Sequence, residues 1–372
     1  MKSFKIEVPQ EILDDLKTRL QNTRWADAGD DTGWNLGTDS SYLKAFTNHW
    51  LNHYNWRKEE GKLNQFPHYK TMVDETTLHF LHVKGNGAVN EPLLLIHGWP
   101  DSFTRFLKVI PKLNTPDENG FAFDLIIPSI PGFGFSEQKP MNSDQTAILF
   151  NKLMTEKLGY QQYFAAGGDM GSTISKSLAI QFPENISAIH LTDVGYPNGS
   201  ENWAEMSQPE QEFGQYIQQW FFKEGAFNML QSTKPQTLGF ALNDSPVGLA
   251  SWIIEKFHGW SGYPENLDSY YSKDELITNI MVYWVTQTIN SSIHIYAEQA
   301  KATWQGGLKS DQKVEVPTGV SLFAGEAPFP KEWVDRKVTA KSFNVLDSGS
   351  HFAAMSSPEL FSKELFDFFR KV

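Results

Sequence analysis

The sequence predicts an α/β protein with a doubly wound, mostly parallel sheet, an inserted helical segment and an N-terminal meander. Short apolar runs separated by several helix-length segments extend from residue 77 to 191, as is typical of such a sheet. Between about residues 195 and 307 this pattern gives way to helical patterns rich in Trp, Phe and Tyr, and strand patterns then resume. An insertion in one sheet explains this order, and it would cover the carboxyl ends of the strands, where ligands bind.

The 372 residues exceed one typical domain, but a single elaborated core can reach this length. Hydrophobic residues make up 40% of the chain and charged residues 20%, which favours a packed globular fold. We therefore assign residues 1–85 to the meander, packed on core and lid, 86–195 and 308–372 to the α/β core, and 196–307 to a helical lid.

Individual elements follow from the spacing of apolar residues. Residues 8–22 place Leu16 and Leu20 on one face of an amphipathic helix, and a second helical stretch covers about 42–56. The final helix buries Phe361 and Leu365. Strands are predicted at residues 77–83, 93–96, 123–127, 163–166, 188–191, 320–323 and 342–346.

The charge and composition exclude several classes of function. The net charge of -12 argues against nucleic acid and anionic membrane as partners, because phosphate binding needs clustered Lys and Arg. The chain has no Cys, which excludes disulfides, thiolate metal sites and a Cys nucleophile. No apolar run approaches the roughly 20 residues of a membrane helix, so we expect a cytoplasmic protein without a membrane anchor.

The strongest local motif is Gly-Gly-Asp-Met-Gly at 167–171, between the strand at 163–166 and a helix that extends to about Phe182. Small residues in this context allow a strained strand-to-helix turn that presents the central side chain, a nucleophile elbow. Asp169 takes the place of the usual Ser. The alternative is that Asp169 only caps the next helix.

A second motif, His-Gly-Trp-Pro at 97–100, directly follows the strand at 93–96. In this kind of fold that position supplies a backbone N–H to an oxyanion hole, here the N–H of Trp99, and the N–H of Met170 would be the second donor. The alternative is an ordinary turn with a structural His97.

His351 lies between the last strand and the last helix, where the base of such a site is expected. Two strand-end carboxylates, Glu326 and Asp193, could orient its imidazole. Of these we favour Glu326, while Asp193 would face solvent or anchor the lid. The order of nucleophile, acid and His along the chain then matches an α/β-hydrolase fold.

A carboxylate nucleophile changes the class of reaction. Attack by Asp on an sp³ carbon makes an ester that His-activated water can hydrolyse, which favours epoxides and carbon–halogen bonds as substrates. An epoxide needs a donor for its leaving oxygen, and the lid offers the phenol of Tyr296. Met170 cannot donate a hydrogen bond to a halide as an indole can. Tyr296 could alternatively be an ordinary packing aromatic.

With these residues in place, the sequence resembles the microsomal-type epoxide hydrolase family over nearly its whole length. The matching segments are YNWR at 54–57, LNQFP at 63–67, HGWP at 97–100, PSIPGFGFS at 128–136, GGDMGS at 167–172, QSTKP at 231–235 and NDSPVGLA at 243–250. The resemblance implies an epoxide hydrolase that acts on a small hydrophobic epoxide and water and needs no metal or organic cofactor. A homodimer is compatible with this interpretation.

The resemblance also implies roles for individual residues. Asp169 would be the nucleophile, His351 the base that activates water, Glu326 its acid partner, and Tyr296 the phenol that polarises the epoxide oxygen. Substrate contacts would come from Trp99, Tyr296 and the residue at position 227.

Three positions depart from the family pattern. Phe227 replaces a second epoxide-binding tyrosine, Met170 replaces the usual Trp, and Asp101 replaces the usual Gly. Family members with an N-terminal membrane anchor also differ from this chain. Two other functions stay open: a haloalkane-type dehalogenase, which would use the same Asp nucleophile, and a catalytically impaired binding homologue, which the Phe227 position favours.

Overall fold

A nine-stranded sheet forms the centre of the protein in a computed structural model, which describes residues 1–27, 33–199, 201–262 and 264–372. The strands are β1 Lys2–Phe4, β2 His68–Val73, β3 Thr76–Val83, β4 Val89–Ile96, β5 Phe121–Pro128, β6 Tyr163–Gly167, β7 Ile186–Leu191, β8 Val314–Leu322 and β9 Val338–Val345. Every strand predicted from the sequence is present, each with bounds that differ by a few residues.

The spatial order of the strands is β1-β2-β3-β5-β4-β6-β7-β8-β9. Neighbours from β5 through β4 to β9 run parallel, while β1, β2 and β3 add an antiparallel extension through β3 and β5. The sheet is therefore mostly parallel, as predicted. Residues Leu93 to Ile96 of β4 are fully buried, because helices cover both faces of a parallel sheet and its strands are continuously apolar.

The helices flank the sheet and fill the interval between β7 and β8. They are α1 Gln10–Gln21, α2 Ser40–Asn52, α3 Trp56–Leu63, α4 Ile110–Leu113, α5 Ser143–Lys152, α6 Met170–Gln181, α7 Gln208–Glu224, α8 Ala226–Thr233, α9 Pro235–Asp244, α10 Pro246–Gly259, α11 Lys273–Thr286, α12 Ile289–Trp304, α13 Lys331–Lys337, α14 Ala353–Ser356 and α15 Pro358–Phe369. Within the described residues, none of these helices is long and apolar enough to cross a bilayer.

The N-terminal region is more ordered than a meander. The helical stretch predicted at 42–56 is α2, which ends at Asn52, and a further helix, α3, begins at Trp56, where Asn55 caps it by accepting the N–H of Lys58 at 3.2 Å. The strands β1 and β2 were not predicted. In β2 only part of the side chains are buried, and its mixed sequence His68–Val73 shows no clean alternation of apolar residues.

Helix α11 joins the N-terminal region to the carboxyl ends of the parallel strands. On one side the Tyr54 hydroxyl lies 3.0 Å from the hydroxyl of Thr278, so α11 is tied to the segment that follows α2. On the other side the Asn279 side chain donates to the carbonyl of Pro100 at 2.8 Å, in the loop after β4. This helix is buried along most of its length and fixes that loop from above.

Candidate active site

The carboxyl ends of four parallel strands bring the predicted site residues together. Trp99 follows β4, Asp169 follows β6, Glu326 follows β8 and His351 follows β9. Parallel strands end at the same edge of a sheet, so residues distant in sequence meet there. The lid adds Tyr296 from α12 to the same place.

Asp169 sits in a strained turn between β6 and α6. Its φ of 57° and ψ of -129° lie where non-glycine residues are rarely found. The turn also needs Gly168, since a Cβ atom there would lie 2.4 Å from the hydroxyl oxygen of Thr192 and 2.9 Å from Arg105 Nη2. Such strain at one acidic residue is typical of a functional position.

Two backbone N–H groups hold one oxygen of the Asp169 carboxylate. Trp99 N donates to Oδ1 at 3.0 Å and Met170 N donates to the same atom at 2.6 Å. Gly98 permits this approach, because a Cβ there would lie 2.5 Å from Oδ1. The carboxylate thus does cap α6, the alternative raised by the sequence, and at the same time fills a two-donor pocket for a negatively charged oxygen.

The other oxygen of Asp169 faces His351. Oδ2 lies 3.5 Å from His351 Nε2, and Nδ1 of the same ring lies 2.9 Å from Glu326 Oε1. Burial by itself lowers the pKa of His351, but the charges of Glu326 and Asp169 outweigh it and raise the pKa to about 10. The imidazole is therefore protonated at neutral pH.

Asp193 is buried beside Asp169 and does not face solvent, one of the two roles expected for it. Its Oδ2 accepts the backbone N–H of Asp169 at 2.8 Å, and its Oδ1 accepts the N–H of Gly195 at 3.2 Å. Burial raises the pKa of Asp193 to about 6, and the nearby charge of Glu326 adds to the effect. The carboxylate that contacts the imidazole of His351 is that of Glu326.

These groups open into a cavity of about 860 Å³ between the sheet and the lid. Asp169, Met170, Phe227 and Tyr296 are among the residues on its wall. Burial raises the pKa of Tyr296 well above its usual value, and the negative charge of Asp169 adds to this. The phenol thus stays protonated and can donate a hydrogen bond into the cavity.

Aromatic rings build the wall around the phenol. The Trp99 indole is fully buried and stacks on Phe227, with ring centroids 5.8 Å apart and planes 8° from parallel. Phe227 in turn meets Tyr296 edge-on, with centroids 6.1 Å apart. Trp99 thus donates its backbone N–H to Asp169, and its indole packs against the rings of Phe227 and Tyr296. Phe227 has no hydroxyl to donate.

Two residues of the site were not predicted from the sequence. The carbonyl of Trp260, at the end of α10, accepts the backbone N–H of His351 at 3.1 Å, and its ring packs edge-on against the imidazole. Arg105 donates from Nη2 to the carbonyl of His351 at 2.6 Å. The sequence offered one signal for Arg105, the opposite charge of Asp101 four residues before it.

Among the residues that the structure describes, no three His, Asp or Glu side chains are grouped as ligands for a metal ion. The carboxylates of the site lie against an imidazole and backbone N–H groups instead. The arrangement can hold a negatively charged oxygen, offer a second oxygen for bond formation and move a proton at His351.

Known proteins with similar sequences match this chain over nearly its whole length, and they are epoxide hydrolases. Residues 1–106 match the family model for the epoxide hydrolase N terminus, and residues 91–320 match that for the alpha/beta hydrolase fold. Epoxide hydrolase 1 of Sus scrofa is 36% identical over 98% of this chain and 87% of its own. Juvenile hormone epoxide hydrolase 2 of Ctenocephalides felis is 33% identical over 100% and 86%.

Among solved structures, the juvenile hormone epoxide hydrolase of the silkworm Bombyx mori superposes with a TM-score of 0.87 at 30% identity, covering 100% of this chain and 93% of that one. Both the N-terminal region and the α/β core are therefore shared with these enzymes. The resemblance found in the sequence is confirmed, and the chain belongs to the microsomal-type epoxide hydrolase family, with an α/β-hydrolase fold.

Proposed function

We propose that the protein converts an epoxide to a vicinal diol in two steps, through an ester of Asp169. One observation carries this proposal: Oδ1 of Asp169 is held by two N–H groups, so Oδ2 is left to react. A carboxylate oxygen that attacks an sp³ carbon forms a stable alkyl ester, whereas attack on a carboxylic ester would only exchange acyl groups.

In the first step Oδ2 of Asp169 forms a bond to one epoxide carbon. The bond from that carbon to the epoxide oxygen breaks, and its electron pair goes to the oxygen. The Tyr296 hydroxyl, on the wall of the same cavity, donates its proton to that oxygen and later recovers one from solvent. The product of this step is a hydroxyalkyl ester of Asp169.

In the second step water attacks the carbonyl carbon of the ester, and His351 takes a proton from it. Negative charge develops on Oδ1, which already lies against the N–H groups of Trp99 and Met170. The intermediate then collapses, the bond to the diol oxygen breaks, and that oxygen receives the proton from His351. The carboxyl group of Asp169, which keeps the other proton of the water, passes it to His351 and so restores the resting imidazolium. Glu326 stabilises the transient imidazolium.

The charges of the site couple the two steps. The resting imidazole is protonated because Glu326 and Asp169 both stabilise its charge. Formation of the ester removes the charge of Asp169, so the pKa of His351 falls and the ring can lose its proton. The base that the second step needs is therefore made available by the first step.

The cavity supports a hydrophobic epoxide as the substrate. Besides Phe227 and Tyr296, its wall includes Ile217, Trp220 and Trp260. Its volume of about 860 Å³ lies within the range of pockets that enclose a whole small-molecule ligand.

A single turnover in ¹⁸O-water tests the covalent route. We expect the label in Asp169, found by mass spectrometry of its peptide, and unlabelled oxygen in the diol. Label in the diol and none in Asp169 would mean that water attacks the epoxide directly. A parallel assay with haloalkanes is expected to release no halide, and halide release would support the dehalogenase instead.

A further inference from the structure

A buried ion pair lies beneath the active site. Asp101 and Arg105 are almost completely buried, and Arg105 Nη1 lies 2.5 Å from Asp101 Oδ2. Arg105 belongs to a short 3₁₀ turn, Phe103–Phe106, that follows the loop after β4. Burying two charges is costly even when they are paired, and an apolar pair of similar volume often gives equal stability. We therefore looked for a function of the pair other than stabilising the fold.

The contacts of the pair reach three of the four loops of the site. Asp101 Oδ1 accepts the N–H of Gly98 at 2.8 Å, in the loop that supplies the Trp99 donor. The guanidinium lies against Gly168 of the elbow, where a Cβ atom would come within 2.9 Å of Nη2. The same Nη2 donates to the His351 carbonyl at 2.6 Å.

The backbone of His351 is thereby clamped from two sides. Its N–H donates to the carbonyl of Trp260 in the lid at 3.1 Å, and its carbonyl accepts from Arg105 in the core. The loop that carries the pair is itself fixed, because the Tyr283 hydroxyl of α11 donates to the carbonyl of Asp101. Arg105 thus connects a rigid part of the core to the loop that presents the base.

We propose that Arg105, held by Asp101, is a positioning residue for His351, and that it serves the second step of the reaction rather than the first. This rests on the proposed function, in which only the hydrolysis of the ester uses His351. A displacement of about 1 Å at a reacting group can slow a reaction roughly 10²-fold. The Arg105 side chain donates hydrogen bonds to Asp101 and to the His351 carbonyl, whereas the Asp169 carboxylate is held by the N–H groups of Trp99 and Met170.

The variant Arg105→Lys separates position from charge. An ammonium group keeps the charge beside Asp101, but it lacks the planar fork that reaches the carboxylate and the His351 carbonyl together. Arg336→Lys is the matched control. Arg336 also makes a two-pronged contact to a buried carboxylate, that of Glu210, and joins α13 to α7 outside the catalytic loops.

The rates of ester formation and ester decay are measured by rapid quench with a simple aryl epoxide, followed by mass spectrometry of the intact protein. In Arg105→Lys we expect ester decay to slow at least roughly tenfold and ester formation to change less than about threefold, so that the adduct accumulates. Arg336→Lys should resemble wild type in both rates. Equal losses in both steps, unchanged decay, or the same effect in Arg336→Lys would overturn the proposal.

A second measurement decides the positioning role even if wild type forms no adduct, the outcome that would refute the covalent route itself. In wild type and in Arg336→Lys, the proton on His351 Nδ1, a nitrogen that lies 2.9 Å from Glu326 Oε1, should give a low-field NMR signal. We expect the signal to shift or broaden in Arg105→Lys, and an unchanged signal would refute the proposal. If Arg105→Lys does not fold, Asp101→Asn is measured in the same way with the same two outcomes, because it keeps an acceptor for Gly98 and removes the charge that holds Arg105.

Discussion

Replacing Glu326 with Gln tests the electrostatics of the site. The pKa of His351 rises from 6.5 to about 10 in the folded protein. At 1.36 kcal/mol per pKa unit, this corresponds to roughly 5 kcal/mol of stabilisation of the imidazolium. Two carboxylates share it in the free enzyme, but in the ester only Glu326 still carries its charge. If Glu326 supplies about half, its loss costs roughly 2 to 3 kcal/mol in the second step, or a rate roughly 10²-fold lower.

The assay follows the ester of Asp169 by rapid quench and the His351 imidazole by NMR titration. In Glu326→Gln we expect ester formation at nearly the wild-type rate, ester decay about 10²-fold slower, and a His351 pKa well below that of wild type. Glu364→Gln is the control, since Glu364 is a buried glutamate that accepts from Ser321 and Asn344 at 2.7 Å.

Two results would refute this reasoning. If the pKa of His351 stays near 10 in Glu326→Gln, the charge of Glu326 is not what holds the proton. If ester decay is unchanged while the pKa falls, the imidazolium does not limit the second step, and Glu326 serves a structural purpose.

Three further predictions concern Phe227, Tyr296 and Asp193. Phe227→Tyr should raise the rate of ester formation, up to the roughly 10²-fold that one preorganised donor is worth, and an unchanged or lower rate in stopped-flow would show that position 227 does not contact the epoxide oxygen. Tyr296→Phe should lower ester formation roughly 10²-fold and leave the decay of a preformed ester unchanged, so an equal loss in both steps would contradict its role as the donor. The raised pKa of Asp193, about 6 against 3.8, means that the folded state loses stability as pH rises through this interval. At pH 8 the free energy of unfolding of Asp193→Asn, measured by denaturant titration, should therefore exceed that of wild type by about 2 kcal/mol after one weakened hydrogen bond is subtracted. This gain should be gone near pH 4, and a gain that is independent of pH would contradict the prediction.

The fold could be predicted from the sequence because both faces of the sheet are covered. The buried parts of strands such as β4, here Leu93 to Ile96, are continuously apolar, and they stand out between the amphipathic helices. The elbow was recognisable since Asp169 is surrounded by small residues that only a tight turn requires. Tyr296 and Phe227 came from the family resemblance more than from periodicity, because the lid is aromatic throughout.

The remaining features depend on contacts between distant segments. Nothing local in the sequence distinguishes Trp260, whose carbonyl binds His351 across the fold. Asp193 was expected to face solvent or to anchor the lid, but its carboxylate is buried and accepts the backbone N–H of Asp169. Similarly, Asp101 was noted only as a departure from the family, and its partner Arg105 becomes meaningful once both are seen to be buried.

The two oxygens of the Asp169 carboxylate are chemically identical in a free side chain, but the backbone donors of Trp99 and Met170 make them different here. Oδ1 stays in its pocket and is permanent. In the proposed reaction Oδ2 departs with every diol and is replaced by an oxygen atom from water, so the enzyme would lose and regain one atom of its own side chain in each cycle. An ester that is not hydrolysed would leave the protein inactivated by its own substrate. In the proposed reaction, the number of cycles that one molecule completes therefore depends on how reliably water replaces Oδ2.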